Sequence, residues 1–267
     1  MNRLESLFHP DTLATRAEIA TWTGRAGETA KARDLFAALL PVFQWVFGAD
    51  HSDTLVVRHN LAFWIGQAGE TAKARDLFAF LSPDRERVLG VHHPRTLATR
   101  TLATRAQLAT WTGRAGEPTK ARDLFAALVP DIERALGADH PDTLEARRNV
   151  VFWTGQAGHP AEARDLFVAL LPDIKRILGV DRPDTLVARG SLAVWTGEAG
   201  EAAEARLLLA GLLPDIERVL GIDHPDTLIA CHRLAVNTGE AGEAAEARDL
   251  FARRVRKRPA GSLLLKI

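Results

Sequence analysis

Apolar residues recur along the chain at intervals of three and four, and the alternation expected of half-buried strands is missing, so the pattern predicts helices. Wound at about 100° per residue, the first stretch places Ala20, Gly24 and Gly27 within about 40° of Leu13. Ile19, Trp22, Thr23 and Ala26 gather on a second arc, roughly 180–280° around. A helix with two apolar faces is packed on two sides, as an inner helix of a solenoid is. Its start is marked by Pro10, whose missing N–H has no partner in a first turn, and by Asp11, which suits the positive end of the helix dipole. Ala26-Gly27-Glu28 ends it, with Gly at the C-cap. A second helix carries KARDLFAAL and runs toward Gly48. Pro41 interrupts that helix, and the lost hydrogen bond and ring clash predict a kink there, or a stop and restart.

The same pair then recurs. The phrase His9-Pro10-Asp11-Thr12-Leu13 returns, with changes, at His51, His93, His140, Arg182 and His224, at intervals of 42, 42, 47, 42 and 42 residues. The odd interval contains a doubled TLATR, Thr96 to Arg105. The chain is thus six copies of one helix pair, read as one domain over residues 1–267 with a tail at 259–267 and a five-residue insertion in the third copy. Five helical residues leave a remainder of about 140°, so only one of the two leucines can face the core. Leu102 is in phase with Gln107 and Trp111, and Leu97 is displaced. Residues 96–100 are expected to lengthen the helix or form a raised loop while leaving the second helix undisturbed.

The recurring LAxWTGxAGExxxARDLF resembles the tetratricopeptide repeat: a Leu-Ala pair (Leu61-Ala62), a Gly ending the first helix (Gly69), and Ala74 and Phe78 in the second. The period, with HPDTL and ERVLG, is similar to the long variant of kinesin light chains and many actinobacterial repeat proteins. The resemblance spans residues 9–258 and implies an all-α, right-handed α-solenoid of about six helix-turn-helix repeats; HEAT-like repeats are the alternative fold. The chain departs from the family in placing Trp (Trp22, Trp64, Trp111, Trp153, Trp195) one position ahead of the usual Tyr. These lie on an apolar face and are expected in the core. Asn237 takes their place in the sixth copy, as expected of a last repeat with no neighbour to cover it.

One wedge of the first helix varies freely between copies: Ala14, Glu18, Thr21 and Arg25 in the first, and Val56, Asn60, Phe63 and Gln67 in the second. Gln107 and Arg114 belong to it in the third copy, and Glu145, Asn149, Phe152 and Gln156 in the fourth. In tetratricopeptide arrays this stripe lines the concave groove that takes a peptide or helix. Asn60 and Asn149 match the amide that such arrays use on a peptide backbone, able both to donate and to accept. Phe63 and Phe152 are large and apolar where a solvated face favours polar groups. His59 and Arg148, which precede the two asparagines, join the expected contact set. Along the stripe Arg25, Gln67, Arg114, Gln156, Glu198 and Glu240 would draw the acidic part of a partner toward the N-terminal end. A solvated face that drifts for want of constraint is the competing reading.

Composition narrows the function. Lys plus Arg and Asp plus Glu both number 34, and zero net charge argues against a nucleic-acid binder. One cysteine, Cys231, permits no internal disulfide and suits a reducing, cytoplasmic setting, and no apolar run nears the ~20 residues of a membrane span. No catalytic or phosphate-binding motif is present, and no cofactor or metal is expected. The HPD histidines, one per repeat, cannot converge on one ion and read as helix-start residues. Arg16, Arg58, Arg105, Arg147 and Arg189 recur at one position and read as structural ion pairs. Trp45, where the second to fifth copies carry Arg, would either cover the first repeat's open end or serve as a self-association patch. The expectation is a non-enzymatic scaffold for an unknown protein or peptide. The alternatives are the sensor array of a signalling NTPase system, or a self-assembling structural protein.

Overall fold

The computed structural model describes residues 8–89 and 96–256. Twelve helices make up the described residues. The first helices of the six copies are α1 (Pro10–Arg25), α3 (Ser52–Gln67), α5 (Thr96–Arg114), α7 (Pro141–Gln156), α9 (Pro183–Glu198) and α11 (Pro225–Glu240). The second helices are α2 (Thr29–Phe47), α4 (Thr71–Leu89), α6 (Pro118–Leu136), α8 (Pro160–Leu178), α10 (Ala202–Leu220) and α12 (Ala244–Arg256). The residues fall into two compact units, one ending at Trp153 and the other beginning at Thr154. No helix among the described residues is long and apolar enough to cross a membrane.

In the first unit each helix from α1 to α6 packs on the next, and α1 also touches α3, as α3 touches α5. The second unit repeats this from α9 to α12, with α9 touching α11. Within each unit, first helices thus form one row and second helices another, the arrangement of a tetratricopeptide-type solenoid. The core lies between the rows: Leu13, Ala20, Phe36, Leu39 and Phe43 form one cluster, and Phe125, Leu128, Ile132 and Trp153 another.

The joints between helices follow from the recurring phrases. The imidazole Nδ1 of His9, His51, His140 and His224 accepts the N–H of the Asp two residues on, at 3.1–3.3 Å. These histidines are N-caps, as their place at helix starts implies. Thr54, Thr143, Thr185 and Thr227 donate their hydroxyls to the carbonyls of Gly48, Gly137, Gly179 and Gly221 at 2.6–2.8 Å. That bond ties each first helix to the glycine ending the preceding second helix. His93 lies outside the described residues.

The arginine column makes ion pairs: Arg58 with Asp84, Arg105 with Asp131, Arg147 with Glu133 and Arg189 with Asp215, all at 2.7 Å. A second ladder links copies, Arg33 to Glu70 at 3.1 Å and Arg75 to Glu117 at 2.6 Å. Hydrogen bonds from Lys73 and Lys120, helped by these arginines, hold the Glu70 and Glu117 carboxyls below their ordinary pKa.

The stop-and-restart alternative at the prolines and the readings of Trp22 and Asn237 need correction. The second helices do not stop at their prolines: α2, α4, α6, α8 and α10 each run 19 residues through Pro41, Pro83, Pro130, Pro172 and Pro214. Each proline faces solvent, and buried residues on both sides, such as Leu39 and Phe43, hold the helix together across the missing hydrogen bond. The doubled TLATR, by contrast, behaves as expected: it lengthens α5 to 19 residues against 16 in α1, with Leu102 buried and α6 unchanged at 19.

The tryptophan row is core in four copies, with Trp64, Trp111, Trp153 and Trp195 no more than 9% exposed, but Trp22 is 62% exposed. Each indole reaches back onto a glycine of the preceding copy: Trp64 onto Gly24, Trp111 onto Gly66, Trp153 onto Gly113 and Trp195 onto Gly155. The copy without a neighbour for this contact is therefore the first. Asn237 is not an uncovered end residue, since it is buried against Gly197 and donates to the Arg233 carbonyl at 2.8 Å.

Candidate functional site

Within the first unit, α5 and α7 stand side by side with α6 behind them, and a cavity of about 260 Å³ opens between them. Leu102, Ala103 and Ala106 of α5, Phe125, Ile132 and Leu136 of α6, and Ala146 of α7 make its apolar wall. Gln107, Asn149, Asp142 and Glu145 supply the polar groups. Few polar groups on a mostly apolar concavity is the composition of a recognition pocket.

The space exists because the residues at its mouth are small. Ala106 occupies the position that His59 holds one copy earlier, and Ile132 the position of Arg85. There the His59 ring sits edge-on to Phe78 at 5.0 Å, with Nδ1 3.4 Å from the Thr104 hydroxyl. Arg85, only 4% exposed, donates to the carbonyls of Leu55 at 3.1 Å and Arg100 at 3.0 Å. Two large polar side chains thus stand where the third and fourth copies leave room. Burial, reinforced by the Arg85 charge, lowers the His59 pKa to about 4, so the ring is neutral near pH 7. Burial likewise lowers Arg85 to about 10, with Arg100 and Arg58 adding repulsion.

The Asn149 amide nitrogen donates to the Glu145 carbonyl at 2.9 Å and to its carboxylate at 3.2 Å, which turns the amide oxygen into the acceptor left for a ligand. Arg148 pairs with Glu145 at 3.3 Å.

The structure brings together Gln107 and Asn149 from the expected contact set. Phe152, one turn beyond Asn149, is 44% exposed and edge-on to Trp153 at 4.9 Å. Arg114 is exposed with its guanidinium 4.8 Å over the Trp111 ring. Asn60 is partly buried, and Gln67 and Gln156 are exposed at helix ends. Two residues stand apart from a contact surface. Phe63 is partly buried against Trp64 and Trp111, at 5.0 and 6.4 Å, and His59 is turned into the packing around Phe78. Trp45 is 76% exposed with Phe8 edge-on at 5.4 Å.

The wall residues Phe125, Ile132 and Leu136 come from the second helix, whereas the variable wedge lies on the first. Their signal was the column Phe43, Arg85, Ile132, Ile174, Ile216, in which one copy breaks an apolar position. A broader depression of about 670 Å³, lined by Arg75, Leu108, Glu117, Lys120, Asp123 and Leu124 among others, has charges already paired, Arg75 and Lys120 both with Glu117.

Known proteins agree with this architecture. Residues 101–142 and 185–226 match a family model described as tetratricopeptide repeat. A Podosopora anserina kinesin-light-chain structure with nearly identical TPR-like repeats is 25% identical, with TM-score 0.64, over 77% of this chain and 95% of that one. BtubC (BKLC) from P. vanneervenii is 15% identical with TM-score 0.63 over 100% of both chains. A Rap protein complexed with Competence and Sporulation Factor is 10% identical with TM-score 0.57, over 92% of this chain and 76% of that one. No curated protein matches at the level of sequence. Residues 101–142 and 185–226 are thus similar to tetratricopeptide repeats, and the fold is that of the kinesin-light-chain-like repeat arrays that the chain resembles.

Proposed function

We propose that this protein is a non-enzymatic scaffold that holds a partner protein at the α5–α7 cavity. The observation carrying this reading is an apolar cavity of about 260 Å³ edged by two amides and two carboxylates. The occupant is a peptide or helix that seats one apolar side chain on Phe125 and Ile132. Its backbone meets Gln107 and the Asn149 oxygen, which match donor and acceptor. A lysine or arginine beside that apolar residue faces Asp142 and Glu145. That a Rap protein of the same fold is seen with a bound factor supports the use of this architecture for holding partners.

The test copies the second repeat's plug into the third. Wild type and Ala106→His, matched for helicity, serve as baits in lysate of the source cells. The reading expects a protein retained by wild type and lost by Ala106→His. Identical captures on both baits would contradict it.

A further inference from the structure

Among the described residues, the tryptophan that joins each copy to the one before it has no such glycine partner in the first copy. Trp22 is 62% exposed and Ile19, at the position of Leu61, is 55% exposed. Leu61 and Trp64 both pack into the core of the preceding copy. The first copy thus presents an unused version of the same docking pair, with the Arg25 guanidinium 4.8 Å over the indole. Terminal repeats of a solenoid ordinarily turn a polar face outward, and this edge does not.

The last copy presents the receiving half. Gly239 occupies the place of Gly24, Gly66, Gly113 and Gly155. At those four a Cβ would stand 2.2–2.5 Å from an indole carbon, but at Gly239 it would meet, among the described residues, only the Ala247 methyl at 3.5 Å. The aromatic ring of the second helix is uncovered to match. Phe36, Phe78, Phe125 and Phe167 are at most 3% exposed, whereas Phe251, at the same position, is 37% exposed.

We propose that copies of this chain join head to tail, the Ile19–Trp22 edge of one seating on Gly239, Ala247 and Phe251 of the next. The occupant is a second copy because the contact that would form is the one the chain already makes between its own repeats, with the same residue types on both sides. Such an interface is heterologous, so it extends into rings or filaments rather than stopping at a dimer. It uses no residue of the α5–α7 cavity and stands apart from the proposed scaffold role.

The test is the mass of the intact chain by sedimentation and light scattering across a concentration series. Wild type is expected to rise above the 29.1 kDa of one chain as concentration increases. Trp22→Asp, which removes the knob, and Gly239→Phe, which fills the notch, are each expected to remain single chains. Both sites lie at an open surface, and circular dichroism checks that helicity is kept. Mixed in equal amounts, the two variants retain one good knob and one good notch, and should form a species of twice the chain mass that grows no further. A wild type that stays a single chain throughout, as it would if its own C-terminal segment covered the notch, overturns the proposal. So does Trp22→Asp associating as wild type does, which moves the contact elsewhere, to Trp45 for example.

Discussion

The Trp153 indole occupies the space a side chain on Gly113 would need: a Cβ added to Gly113 would lie 2.3 Å from two ring carbons. The two residues belong to adjacent copies, and the same contact recurs at Gly24 with Trp64 and at Gly66 with Trp111. The glycine of the WTG phrase is therefore a seat for the next copy's ring. Ala in a helix interior ordinarily gains about 1 kcal/mol over Gly. At Gly113 the clash reverses that sign, and Gly113→Ala is expected to cost about 1–3 kcal/mol as an overpacked core does. At Gly239, where among the described residues only a methyl lies near at 3.5 Å, the same change is expected to stabilise by up to about 1 kcal/mol. Urea midpoints of the two variants check the opposite signs.

The ring itself gives a second contrast. Trp153→Ala empties a site that is 7% exposed and is expected to lose about 3–5 kcal/mol. Trp22→Ala, at a residue 62% exposed, should change stability by no more than about 0.5 kcal/mol. Thermal unfolding of both variants under conditions where the chain is monomeric would separate them.

His59 makes stability depend on pH. Its folded pKa, about 4, lies below the ordinary value of 6.5, so the folded state resists protonation. The neutral ring's contribution is complete above pH 6.5 and is lost as pH falls from 6.5 toward 4, by up to about 3 kcal/mol. His59→Ala, which copies Ala17 and Ala106 at this position, should flatten the melting temperature across that window relative to wild type. Parallel curves for the two proteins would contradict the assignment.

Among the described residues, Arg85 is a buried guanidinium bonded only to carbonyls, with its Nε unpaired. Breaking such a group differs from replacing it. Arg85→Ile restores the residue type of Ile132, Ile174 and Ile216 and is expected to leave stability unchanged or raise it by about 1–2 kcal/mol. Arg85→Ala leaves a cavity and is expected to lower it by about 2 kcal/mol or more. Denaturant titrations of the pair decide between these outcomes.

The helix pairs were legible in the chain because the period, the prolines at helix starts and the glycines at helix ends are local signals. The proline inside each second helix misled because its local cost is outweighed by burial of neighbours such as Phe125 and Ile132, which a single helix does not reveal. The direction in which Trp22 reaches, toward a preceding copy rather than a following one, is set by packing between helices. A wheel drawn for one helix cannot contain it, and the reading of Asn237 failed for the same reason. Gln107 and Asn149 were visible as variable positions on that wheel. The cavity between them was not, because it depends on Ala106 failing to do what His59 does one copy earlier.

A photo-crosslinking residue placed at Gln107 and, in a separate protein, at Lys120 tests the scaffold reading most directly. Gln107 lies on the α5–α7 cavity and Lys120 on the broader depression. The account predicts a partner adduct from Gln107 that disappears when Ala106→His is added, and none from Lys120. Adducts from Lys120 alone, or from Gln107 undiminished by Ala106→His, would contradict it.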